Sequence, residues 1–192
     1  MTAAADCFSE FSGPTPALTA AQEVLRRLTR DVANFPVPGV LFKDIVPVLG
    51  DADALGAVVG ALAELARGNE VTKVAGIEAR GFLVAAPVAV AAGVGIVPIR
   101  KAGKLPGQTR KVEYALEYGT ATLEIQDDSV RGGDRILLID DVLATGGTAR
   151  AAHDLLSGAG AAVTGLAVLL ELSALGGRIQ LGPLPVCPLL VV

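Results

Sequence analysis

The sequence predicts an α/β protein with a central, mainly parallel sheet and helices on both faces, and three observations predict it. Apolar runs rich in Val, Ile and Leu recur at residues 71–77, 94–99, 136–139 and 163–170. Helically spaced stretches at 82–92 and 148–157 separate several of them. An acidic pair and a loop of small residues follow the third run, where a parallel sheet places its ligands. Strands covered on both faces read as near-continuous apolar runs, and their alternation with helices is the pattern of βαβ units. A chain of 192 residues suits one domain, which at that size buries roughly 70% of its unfolded surface.

Taken in order, residues 1–16 are small and polar and read as a disordered leader, with a single domain over 17–192. Residues 17–33 carry apolar side chains at helical spacing (Leu18, Val24, Leu25, Leu28, Val32), with Thr19 as N-cap and Gln22 three positions on. Two prolines and a glycine make 35–45 an ordered, extended loop, and a second helix is expected over 53–67. Residues 100–133 form a long insertion between the second and third strands, with a hairpin expected about Tyr118-Gly119.

Composition removes several function classes. Aromatic content of 4% without Trp leaves no stacking platform for single-stranded nucleic acid, and a net charge of −4 argues against non-specific DNA binding. Cys7 and Cys187 have no ligand-like spacing and read as free thiols, as in a reducing cytosol. His153 is the only histidine and reads as a helix residue, which argues against a His-based hydrolase or metal enzyme. The uncharged run 81–99 has the length of a membrane span, but Pro87, Gly93, Gly95 and Pro98 break it, so a buried helix followed by a buried strand is expected. The first ten residues hold Asp6 and Glu10 and no basic stretch, so no signal peptide is expected and the location is read as cytoplasmic.

The chemistry concentrates in Ile136-Leu-Leu-Ile-Asp-Asp-Val-Leu-Ala-Thr-Gly-Gly-Thr148. The small residues Ala144, Thr145, Gly146, Gly147 and Thr148 let backbone N–H groups close on an anion, with hydroxyl donors added and a helix N-terminus behind. A phosphate suits that loop. Asp140 and Asp141 would repel it unless they faced sugar hydroxyls or a metal-bound group, so one ligand with a phosphate and a diol fits both, as in a ribose 5-phosphate. No Lys follows the glycines, so a Walker loop is excluded, and the glycine spacing at 158–163 fails the dinucleotide-binding fingerprint.

With that motif the chain resembles the type I phosphoribosyltransferases, and within them the branch that acts on adenine. Four further motifs carry the likeness: Phe35-Pro-Val-Pro-Gly-Val-Leu-Phe-Lys-Asp-Ile45, Gly76-Ile-Glu-Ala-Arg-Gly-Phe82, Ile99-Arg-Lys-Ala-Gly-Lys-Leu-Pro106 and Leu116-Glu-Tyr-Gly119. The resemblance covers nearly the whole chain from Asp31 onward. It implies the type I phosphoribosyltransferase fold with a small hood, formed by about 35–45 and the segment from about 171, and a mobile lid over about 100–117. It implies the reaction of adenine with 5-phosphoribosyl 1-diphosphate (PRPP) to give AMP and pyrophosphate, with Mg2+ carried by PRPP rather than by a protein cage. It also implies a homodimer.

The roles follow from the resemblance, position by position. Asp140 and Asp141 would hold the ribose hydroxyls, and residues 144–148 the 5-phosphate. Arg100, Lys101 and Lys104 would grip the pyrophosphate; they belong to a cluster, with Arg110 and Lys111, that puts five of the sixteen basic residues within twelve positions. Glu117 would be the catalytic carboxylate, near N7 of the base or the charge developing at C1′. A cis peptide is expected between Glu78 and Ala79, with Arg80 on pyrophosphate or base. Phe42 would stack on adenine, Leu41 would bond its edge through the backbone, and Leu172 would pack on the other face. The enzymes for 6-oxopurines use a downstream lysine, and here no Lys follows Lys111, which favours a 6-aminopurine. Two alternatives stay open: transfer to another purine, and a regulator that senses PRPP without catalysis.

Overall fold

The computed structural model describes residues 15–115 and 119–192. The expected leader falls mostly outside them. Helix α1 (Pro16–Leu28) is capped four residues before the expected Thr19: Thr15 is the cap, its hydroxyl accepting from the Leu18 N–H at 3.1 Å, with Pro16 in the first turn. The helix also ends early, because Thr29 turns extended and the chain enters strand β1 (Arg30–Ala33). β1 pairs antiparallel with β2 (Leu41–Asp44), and the pair is tied by the ion pairs Arg30–Asp44 and Lys43–Asp31. Helical spacing through Val32 thus loses to a strand partner further along the chain. The extended loop expected at 35–45 is the turn and second arm of this small sheet, and its Phe35–Pro36 peptide is cis.

A short helix α2 (Val46–Leu49) leads into α3 (Ala52–Gly68), capped by the Asp51 carboxylate accepting from the Ala54 N–H at 2.9 Å. Then come β3 (Lys73–Ile77), α4 (Arg80–Ala92), β4 (Gly95–Lys101), β5 (Thr109–Ala115), β6 (Thr120–Gln126), β7 (Arg135–Leu143), α5 (Gly147–Gly158) and β8 (Ala162–Glu171). A 3-10 turn (Ser173–Leu175), a short helix α6 (Gly177–Gln180) and β9 (Val186–Val191) complete the chain. The seven-stranded sheet has the order β5-β6-β4-β3-β7-β8-β9; β4, β3, β7, β8 and β9 are parallel, and β5 and β6 antiparallel. The predicted fold class is the observed one. Of the C-terminal segment expected in the hood, β9 lies instead in the main sheet, paired along β8.

Two apolar layers flank the sheet. One packs α1, α3 and α4 on it, through residues such as Leu25, Leu62 and Val84. The other packs α5 on it, through Leu155, Leu156 and the facing side chains of β3, β4 and β7. Each fully buried Leu or Ile stabilises the fold by about 1.5–3 kcal/mol relative to an exposed one, so the layers fix where the carboxyl ends of β3, β4 and β7 fall. The apolar run 81–99 divides into α4 and β4, and among the described residues no helix is long and apolar enough to cross a membrane. Cys187, expected as a free thiol, is not free. Cys7 lies outside the described residues.

Candidate active site

The carboxyl ends of β3 and β7 open into one cavity of about 1010 Å3. At one end β7 runs out at Leu143, and the loop 144–146 leads into α5. The N-cap is Gly146, with φ +88, so no side chain caps the helix and its first-turn N–H groups are left for an anion. Ala144, Thr145, Gly146 and Thr148 line the cavity, and Gly147 starts the helix just behind them. The loop is held from beneath by α6: a Cβ on Gly146 would lie 2.3 Å from the Gly177 carbonyl oxygen, and one on Gly177 2.1 Å from that of Ala144. The hydroxyl of Thr148 donates to Tyr114 Oη at 3.3 Å, which brings β5 to the same wall.

The acidic pair stands within the last turns of β7 rather than beyond it. Asp141 is buried, and its Oδ2 lies 2.7 Å from Arg80 Nε, an ion contact without hydrogen-bond alignment. Asp140 accepts from the Asp141 N–H at 2.9 Å, and Gly81 approaches it so closely that a Cβ there would lie 3.0 Å from Oδ1. Burial, and then the Asp141 charge beside it, push the Asp140 carboxyl well above the usual range. A group that hydrogen-bonds or neutralises this carboxyl, such as a sugar diol, relieves that cost.

Arg80 opens α4 directly after the Glu78–Ala79 peptide, which is cis as the resemblance implies. Its guanidinium lies 5.2 Å from the Phe42 ring centroid, and Phe35 meets Phe42 edge-on at 5.1 Å. Leu41, Phe42 and Leu172 line the cavity beside Arg80, forming an apolar wall suited to a planar base.

Lys101 lines the cavity too, whereas Arg100 and Lys104 do not. Arg100 is engaged inward: its Nε donates to Glu78 Oε2 at 3.2 Å and its Nη1 to the Lys104 carbonyl at 3.0 Å. Glu78 also accepts from the Lys101 N–H at 3.0 Å. Burial pushes the Glu78 carboxyl up, but the Lys101 N–H and Arg100 outweigh it and hold it below the usual range. Glu117, the expected catalytic carboxylate, lies outside the described residues; Tyr114, three positions before it, lines the cavity.

Sequence reasoning missed Glu78 as a brace for the basic segment, Tyr114, and Gly177. Only Glu78 had a local signal, standing at a strand end next to a predicted site arginine. His153 is a helix residue, as expected: Asp154 lies 3.0 Å from Nδ1 and Ser157 3.5 Å from Nε2. None of the three lines the cavity, and Arg150 binds the same Asp154 carboxylate.

Residues 49–180 match the family described as the phosphoribosyl transferase domain. The chain is 62% identical over 177 residues to an adenine phosphoribosyltransferase of Parafrankia sp., covering 92% of this chain and 96% of that one. It is 60% identical over 180 residues to one from Frankia alni, covering 94% and 95%. Among solved structures, the adenine phosphoribosyltransferase of Rhodothermus marinus superposes with a TM-score of 0.85 at 47% identity, over 91% of this chain and 99% of that chain. That of Saccharomyces cerevisiae, complexed with an imino-altritol bisphosphate and adenine, gives 0.85 at 37% identity, over 90% and 99%.

Proposed function

The chain belongs to the phosphoribosyl transferase family, and from that premise we propose how its cavity converts adenine and PRPP to AMP and pyrophosphate. One observation carries the reading: a single cavity joins an uncapped helix N-terminus, an acidic pair with Asp141 buried and Asp140 half-buried, and an apolar aromatic wall. Those are the partners that a phosphate, a ribose diol and a purine require.

The 5-phosphate takes the N–H groups and hydroxyls of 144–148. The 2′- and 3′-hydroxyls donate to Asp140 and Asp141, which turns a costly pair of adjacent carboxylates into a ligand-binding one. This places C1′ towards the Glu78–Arg80 turn, with pyrophosphate against Lys101. Arg100 and Lys104 close the far side of that segment. The base lies on Phe42, against Leu172, with its edge at the Leu41 backbone. Arg80 leaves the Phe42 ring or shares it with the base.

In the reaction N9 of adenine forms a bond to C1′ as the C1′–oxygen bond to pyrophosphate breaks. The electron pair leaves with pyrophosphate, and the proton of the base goes to a carboxylate or water. Glu117 supplies the carboxylate at N7, or stabilises the positive charge developing at C1′. The cavity carboxylates fit a Mg2+ that arrives on PRPP, since Asp141 and Glu78 are already engaged by arginines. Carried on PRPP, Mg2+ would supply charge neutralisation at the leaving pyrophosphate.

Adenine specificity follows from the wall that meets the base. No Lys follows Lys111, and Lys43, which lines the cavity, has its amino group 2.7 Å from Asp31. The sensor reading is not favoured, because relatives 60–62% identical over nearly the whole chain are adenine phosphoribosyltransferases. A homodimer is supported by exposed apolar side chains on α4, Leu83 at 55% and Val90 at 84%, about two turns apart. A highly charged substrate such as PRPP does not cross a bilayer, which supports a cytoplasmic location. The test is product analysis: adenine with PRPP and Mg2+ should give AMP and pyrophosphate in equal amounts. Pyrophosphate without AMP would mean hydrolysis and overturn the reading.

A further inference from the structure

The antiparallel strand β6 buries a carboxylate that the reaction does not use. Leu123 and Ile125 face the layer under α5, so the pleat turns Glu124 to the opposite face, where it is only 1% exposed. There the β4–β5 loop folds over it. Glu124 Oε1 accepts from the Lys104 N–H at 2.8 Å and the Leu105 N–H at 2.9 Å, and Oε2 accepts from the Thr109 hydroxyl at 3.3 Å. Lys111 Nζ lies 3.7 Å away. Successive backbone N–H groups converging on one carboxylate form an anion nest that the chain fills from within.

The Lys104 peptide is thereby pinned on both sides. Its N–H is held by Glu124, and its carbonyl by Arg100, which is itself held by Glu78. Register puts Glu124 directly opposite Arg100 on β4, and Lys111 opposite it on β5. We infer that Glu124 is a positioning residue for the pyrophosphate half of the substrate: its carboxylate shapes the β4–β5 loop and so sets where the basic segment 100–104 stands. The inference rests on the proposed placing of pyrophosphate at that segment. Burial pushes the Glu124 carboxyl up, but the N–H groups of Leu105, Lys104 and Gly103, with Lys111, bring it down to about 2, so it stays ionised across the working pH range.

Glu124→Gln keeps the size but replaces one acceptor with a donor that faces N–H groups. Thr109→Val removes only the hydroxyl contact and leaves the carboxylate in place. Both are compared with the unaltered chain by steady-state kinetics and by calorimetric titration with Mg-pyrophosphate. Glu124→Gln should weaken pyrophosphate binding and raise KM for PRPP about ten-fold, the scale of one lost charge-assisted hydrogen bond. KM for adenine should stay within about two-fold, because the base wall does not touch this loop. Thr109→Val should shift the same two constants in the same direction by less. Equal changes in both KM values, or unchanged pyrophosphate affinity in a folded Glu124→Gln, would overturn the inference; if that variant does not fold, unchanged affinity in Thr109→Val does so. Failure of the unaltered chain to make AMP would count against the proposed reaction instead, and the pyrophosphate titration would still decide the role of Glu124.

Discussion

Gly177 packs its α-carbon against the carbonyl of Ala144, leaving no space between them for a methyl group. The contact is reciprocal, since the Gly177 carbonyl fills the space where a side chain on Gly146 would stand. The loop 144–146 is therefore shaped from both sides, by the helix it starts and by a short helix from much later in the chain. Gly177→Ala must push the two segments apart. The expected cost is about 1–3 kcal/mol of stability, as for other overpacked positions. AMP affinity should fall with it, because the 5-phosphate loses its fitted loop. Thermal unfolding and AMP titration check both effects, and a variant with native AMP affinity would show that the loop keeps its shape without this support.

Asp140 gives a prediction with a definite sign in pH. Burial and then the neighbouring Asp141 raise its folded-state pKa above the ordinary 3.8. A carboxyl raised in this way favours the folded state while protonated, and the advantage is lost as pH rises from the unfolded value through the folded one. Asp140→Asn removes the titration. The variant should gain stability relative to the parent as pH rises from 4 towards neutrality. It should bind PRPP more weakly over the same range. Denaturant unfolding at several pH values tests the first statement and calorimetry the second.

Arg80 is the only described cation in contact with the buried Asp141 carboxylate, and it also covers Phe42. Arg80→Ala should cost about 1–3 kcal/mol, less than a fully buried pair because the arginine is partly exposed. Arg80→Ala combined with Asp141→Asn should recover most of that loss. Simple additivity of the two in a double-mutant cycle would mean that the pair is not coupled.

Glu117→Ala separates chemistry from binding. It should lower kcat by about 100-fold or more with little change in KM for PRPP, as expected for a group that acts mainly in the transition state. Unchanged kcat would remove Glu117 from the mechanism.

The strand–loop–helix around Asp140 was legible because its signal is local: an apolar strand, two acids and small residues stand in one run of thirteen positions. The same holds for α3, α4, α5 and for β3, β4, β7 and β8, whose ends fall within a few residues of expectation. What was not legible depends on residues brought together from far apart. β1 exists because Leu41–Asp44 comes back to pair with it, and no pattern within 30–33 announces that. β9 carries an apolar run like the other strands, but its place beside β8 is a matter of topology. Nothing in the alternation of Leu123, Glu124 and Ile125 announces burial at Glu124; only the loop folded across it makes it a buried anchor. Gly177 had no more sequence signal than any other turn glycine.

The most direct test of the central claim is a base panel. Adenine, hypoxanthine, guanine, xanthine and orotate are each incubated with PRPP and Mg2+, and the nucleotide and pyrophosphate formed are measured. AMP from adenine, with no product from the other four, is the result expected of a base wall that offers no free lysine to a 6-oxo group. Product from hypoxanthine or guanine at a comparable rate would contradict that account of the wall, and no nucleotide from any base would contradict the reaction itself.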